Sequence, residues 1–168
     1  TISDEQVDEW HNSLKNNKEA LEYLPNERGF TIETVSQFRV GYREVGGRLS
    51  IVFPYFDRSN TCVGVKYGYF NSFSEPRFTK EPGSKSEFFN INNINLDEPI
   101  IITEGEWDAI TAWQYGFFNV VSVPDGAESS GDYFEGIGGA SLIYLAFDND
   151  SAGSRGASKA ARLLGASR

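Results

Sequence analysis

Two acidic runs in this chain have the residue types and spacing to do chemistry. The first is Glu104-Gly105-Glu106-Trp107-Asp108, and the second is Asp148-Asn149-Asp150-Ser151-Ala152-Gly153. Each follows a continuous apolar stretch, Pro99 to Thr103 and Leu142 to Phe147, of the kind expected for a buried strand. Carboxylates gathered at one sheet edge repel one another and are costly unless a cation neutralises them. Asp148 and Asp150, two apart in an extended turn, can point towards one site, and Glu104 can meet them from the neighbouring strand end. Asp108 is a further candidate ligand, although an aspartate in a first helical turn is also an ordinary cap. Glu106 is expected to be a solvated helix-start residue and Trp107 a packing residue. His11 is the only histidine and Cys62 the only cysteine. Any metal must therefore be held mainly by carboxylates, which favours magnesium or manganese over zinc. A lone cysteine also excludes a disulfide framework.

The elements that must carry these runs alternate. From Glu98 the rhythm reads strand, helix, strand, helix: apolar stretches at 99–103, 118–123 and 142–147, with helices at 106–115 and from about Ser151 to Leu164. Such alternation argues for a parallel α/β sheet. Ligands of open α/β sheets bind beyond the carboxyl ends of the strands, where both acidic runs begin. The first half has another texture. Residues 4–24 read as one helix, with Ser3 as N-cap and Gln6 three residues later, and Ile32 to Phe38 as a short second helix. Leu49 to Phe56 and Cys62 to Tyr69, separated by the turn cluster Asp57-Arg58-Ser59-Asn60, read as an antiparallel meander. Residues 71–97, rich in Asn, Ser, Pro, Gly and Lys, read as a long irregular connection.

The chain has 168 residues, enough for one ordinary domain or two small lobes. Its 39% hydrophobic and 23% charged composition excludes wholesale disorder. No apolar run is long enough for a membrane span, so no membrane partner is expected. The net charge of −9 is unevenly laid out. Residues 1–38 carry three basic and eight acidic side chains, residues 39–85 eight and four, and residues 86–168 four and twelve. A basic middle therefore precedes an acidic second half, which suits a partner carrying phosphate.

Glu-Gly-x-x-Asp at Glu104 to Asp108, followed by Asp-x-Asp-x-Ala-Gly at Asp148 to Gly153, resembles the TOPRIM domain of DnaG-type primases, topoisomerases and some nucleases. Pro124-Asp125-Gly126-Ala127 resembles the turn after its second strand. In the first half, Tyr23-Leu24…Arg28-Gly29 and Phe38-Arg39-Val40-Gly41 resemble the opening of the primase polymerase core. Val65-Lys66-Tyr67, then Arg77-Phe78 and Gly83-Ser84-Lys85, are similar to the phage primase-helicases and Twinkle. The resemblance implies a TOPRIM parallel sheet flanked by helices (98–168), preceded by a small α+β subdomain with an antiparallel meander (1–97).

It further implies a DNA primase core making RNA primers on single-stranded DNA from ribonucleoside triphosphates, using Mg2+ or Mn2+. Glu104, Asp148 and Asp150 would be catalytic, with Glu104 either a ligand or a general base. Lys66 would meet nucleotide phosphates, and Arg77, Lys80, Lys85 and Arg28 the nucleotide or template path. Many relatives carry Lys-x-Arg where this chain has Lys66-Tyr67-Gly68, so one basic contact is missing or supplied elsewhere. Strand cleavage by a TOPRIM nuclease or topoisomerase, or a silent DNA-binding module of a replicative helicase, are the rival expectations. A zinc-binding module and a helicase are expected in a longer chain of which this is a piece, with the TOPRIM part truncated at its C-terminal end. The expected setting is the cytoplasm of a bacterial or phage-infected cell, or an organelle for a Twinkle-like protein.

Overall fold

A computed structural model describes residues 2–70, 75–127, 129 and 131–165. The chain divides into two compact units, Thr1–Tyr55 with Thr61–Lys85, and Phe56–Asn60 with Ser86–Arg168.

The first unit begins with α1 (Asp4–Asn16), opened by the capping box of Ser3 and Gln6. The single helix expected over residues 4–24 is in fact two. Asn17 takes an extended backbone conformation and its side chain accepts the Ala20 N–H at 2.8 Å, so it ends α1 and caps α2 (Lys18–Tyr23). Asparagine competes with helical hydrogen bonds in this way, which is why it favours caps over helix interiors. A π-helical turn (Leu24–Arg28) follows and stops at Gly29, whose φ of 73° suits a residue without Cβ. After α3 (Ile32–Gln37) come β1 (Gly41–Val45), β2 (Arg48–Phe56), β3 (Cys62–Tyr69) and β4 (Phe78–Lys80). They form an antiparallel sheet in sequential order. α1 lies close against β1: a methyl group at Gly41 would sit 2.7 Å from Trp10 Cβ.

The second unit holds a parallel sheet of β5 (Ile100–Thr103), β6 (Val120–Ser122) and β7 (Ile143–Ala146), in the order β6-β5-β7. The chain leaves β5 through α4 (Glu106–Gln114) to β6 on one side, and later returns to β7 on the other. The carboxyl end of β5 is thus a topological switch point, the place where such sheets open a crevice. α5 (Ser151–Leu164) follows β7.

Two strands differ from expectation. Phe118 is 61% exposed and lies outside β6: Asn119 donates to the carbonyls of Asn95, Glu98 and Pro99, and the strand starts at Val120, two residues later than expected. β7 is not buried on both faces: among the described residues it pairs with β5 alone, and Tyr144 is 55% exposed while Ile143 and Leu145 turn inwards. The connection expected to be irregular carries β4 and a 3-10 turn (Ile91–Asn93), and supplies Phe88, Phe89 and Ile91 to the core. Phe88 packs edge-on against Tyr133 and Phe134 at 4.9 and 5.0 Å. Full burial of such a ring is worth about 1.5–3 kcal/mol, which makes this segment part of the domain rather than a linker. Residues 71–74 of that connection lie outside the described residues.

Candidate functional site

At the switch point, Glu104 leaves β5 half-buried and its Oε2 accepts the backbone N–H of Asp148 at 3.3 Å. The ends of β5 and β7 are therefore joined by the pair that the sequence placed there. Asp150 is the N-cap of α5: its Oδ1 accepts the Gly153 N–H at 2.7 Å. Gly153 is required for this turn, since a methyl there would collide with the Asp148 carbonyl. Asp108 stands exposed in the first turn of α4, with its Oδ2 3.2 Å from where a Cβ on Gly105 would be. Among the described residues, no three His, Cys, Asp or Glu side chains converge closely enough to hold a metal ion as they lie. Like charges at one edge repel, and Asp150 spends an oxygen on its helix. The donor set itself suits a hard divalent cation, being carboxylate oxygens on two adjoining strand ends. His11 and Cys62 do not compete, because both are buried in the first unit. His11 Nδ1 is 2.6 Å from the Val40 carbonyl, and burial pushes the Cys62 thiol up.

Two acidic residues were misjudged or missed from the sequence. Glu106 is not solvated. It is 2% exposed at the first position of α4, where the helix dipole and unpaired N–H groups favour a carboxylate. Glu-Gly-Glu at a strand end was the available signal. Glu87 is half-buried, and burial, with Asp57 adding to it, pushes its carboxyl up. Nothing in its sequence context marks it.

In the first unit, three of the expected cations gather around β3. Lys66 lies on β3 and is the cross-strand partner of Lys80 on β4. The chain then runs back along β3: Glu81 N–H donates to Val65, and Lys85 N–H to Val63, both at 2.9 Å. Gly64 permits this, since a methyl there would lie 2.9 Å from the Lys85 carbonyl. Arg77 is exposed, 3.5 Å from the equally exposed Glu75, a pairing worth little in water. Arg28 stands apart at the end of the π-turn, where its Nε donates to the Tyr23 hydroxyl at 2.6 Å. Two arginines of the basic middle are engaged internally. Arg39 pairs with Asp4 and Asp8, and Arg43 bonds Tyr67 and Glu81 and lies over the Trp10 ring.

Residues 98–168 match the Toprim domain. The chain is 31% identical over 159 residues to a primase homolog protein of Arabidopsis thaliana, covering 84% of this chain and 46% of that protein. It is 28% identical over 162 residues to a Twinkle homolog protein, chloroplastic/mitochondrial, of the same plant, covering 84% of this chain and 22% of that protein. Among solved structures it is similar to the primase fragment of the bacteriophage T7 primase-helicase protein. There the TM-score is 0.71 and the identity 28%, covering 84% of this chain and 60% of that one. The chain thus spans less than half the length of the curated relatives it matches.

Proposed function

From a chain that carries a Toprim domain and is primase-like in sequence and fold, we propose the polymerase core of a DNA primase, joining ribonucleotides into short primers on a single-stranded DNA template. The observation that carries this reading is the Glu104–Asp148 contact at the switch point of the parallel sheet. Glu104, Asp148 and the free oxygen of Asp150 are the residues that would hold Mg2+ or Mn2+, with Asp108 at the rim. When bound, the metal stabilises charge building on the α-phosphate and makes the attacking 3′ hydroxyl more acidic. Glu104 either ligates it or takes the hydroxyl proton.

The first unit's part is to hold phosphate. Lys66, Lys80 and Lys85 gather at β3 and offer charge to a triphosphate or a nucleic-acid backbone. Arg77 and Arg28 contact the template path. In the whole protein, a zinc-binding module would select the start site and a helicase would supply single strands. The setting is a bacterial or phage-infected cell, or an organelle by analogy with the plant Twinkle homolog. Among the described residues no helix is long and apolar enough to cross a membrane.

Manganese provides the test. Titrated into the chain with ATP present, Mn2+ binds at a site lost in Glu104→Gln and in Asp148→Asn, read by electron paramagnetic resonance of the free ion. Unaltered binding in both variants would remove these carboxylates from the reading.

A further inference from the structure

The β3–β4 ladder pairs Lys66 with Lys80 and, two residues further along, Gly68 with Phe78. Directly opposed residues of an antiparallel ladder share a face, as do residues two apart on one strand. Two lysines, one aromatic ring and one position without a side chain therefore stand together. The Lys66 Nζ lies 4.8 Å from the Phe78 ring centroid. The ring lies across the backbone at Gly68. A Cβ there would come within 3.0 Å of Phe78 Cε1 and 3.0 Å of Phe53 Cε2, so an arginine at this position would displace the ring. Phe78 remains 37% exposed, which keeps this face open to a ligand.

We infer that Phe78 is a positioning residue for Lys66: its ring, seated on Gly68, holds the Lys66 ammonium on the open β3–β4 face beside Lys80, so that both lysines meet the oxygens of one phosphate. The negative face of the ring attracts the Lys66 ammonium and fixes its place on the ladder. This role rests on the reading of Lys66 as a phosphate contact. It also answers what replaces the second cation of Lys-x-Arg: Lys80, from the neighbouring strand.

The chain is titrated separately with ATP and with single-stranded oligodeoxythymidine, as wild type, Lys66→Ala, Phe78→Leu, Phe78→Tyr and the Lys66→Ala/Phe78→Leu double variant. Phe78→Leu weakens the ligand served by Lys66 about two- to fivefold, the range of an exposed cation–π contact. Phe78→Tyr restores it, and Phe78→Leu adds nothing once Lys66 is alanine. Gly68→Ala, which crowds the ring without removing it, gives the same loss. The Lys66 ε-methylene protons lose their upfield ring-current shift in Phe78→Leu, a change that general destabilisation does not produce in a folded chain. Whichever ligand responds identifies the phosphate as nucleotide or backbone. Normal binding by Phe78→Leu beside impaired Lys66→Ala would overturn the positioning role and leave the Lys66 contact standing. Normal binding by Lys66→Ala would overturn both, while manganese binding at Glu104 and Asp148 continues to report on the catalytic reading.

Discussion

In the proposed reading Asp150 has two duties on one side chain: one oxygen caps α5 through the Gly153 N–H, and the other would ligate a metal. Two substitutions separate them. Asparagine is as good a cap as aspartate and loses only the charge, whereas alanine loses both, at a cost of about 0.5–2 kcal/mol for the cap. Asp150→Asn is therefore expected to unfold within a few degrees of wild type while losing metal-dependent activity. Asp150→Ala is expected to lose activity and also melt measurably lower. Thermal unfolding followed by circular dichroism, with ribonucleotide incorporation measured on the same preparations, checks both. Full activity in Asp150→Asn would reduce Asp150 to a cap. The same chemistry explains why the acidic runs were legible but incompletely so. Glu104 and Asp148 follow apolar strands directly, whereas the burial of Glu106 and Glu87 depends on neighbours brought in from elsewhere in the chain.

At the scale of elements, β3 and β4 are pinned by a polar cluster on the face opposite the lysines. The Tyr67 hydroxyl donates to Glu81 and accepts from Arg43 Nη1, which is 2.9 Å away. Burial, reinforced by the Glu81 bond, pushes the phenol up to about 12, against about 10 in an unfolded chain. A phenol whose folded value is the higher one contributes stability that is complete below about pH 10 and is lost as pH climbs through the folded value. Urea unfolding across that alkaline window should show wild type losing stability more steeply than Tyr67→Phe; equal slopes would contradict the cluster's role. Period and composition gave away the meander, α3, α4 and α5, because each follows a local pattern. The break at Asn17 was readable only from its Asn-Asn pair. β4 hid in a segment rich in turn residues, since its three residues are stabilised by pairing with β3 rather than by an apolar pattern of their own. β7 looked like a buried strand because Ile, Tyr and Leu suit a covered or an open face. Which neighbours a strand acquires is a property of topology, not of its own residues.

For the molecule as a whole, the charge layout follows the two units. The acidic second half forms most of the parallel-sheet unit with its carboxylate edge, and the basic middle supplies the cations around β3. With a net charge of −9, the proposed binding of nucleic acid by this chain is expected to be weak and to fall further as salt rises. Primer initiation is thus an unfair test of this chain, and elongation is the fair one. The deciding measurement supplies a short RNA annealed to single-stranded DNA, labelled ribonucleotides and Mg2+ or Mn2+, with supercoiled plasmid incubated in parallel under the same conditions. Metal-dependent extension of the RNA, absent in Asp148→Asn, with the plasmid left intact, is the result predicted here. Plasmid nicking that depends on Asp148, with no extension, would contradict it and assign the carboxylate edge to strand cleavage.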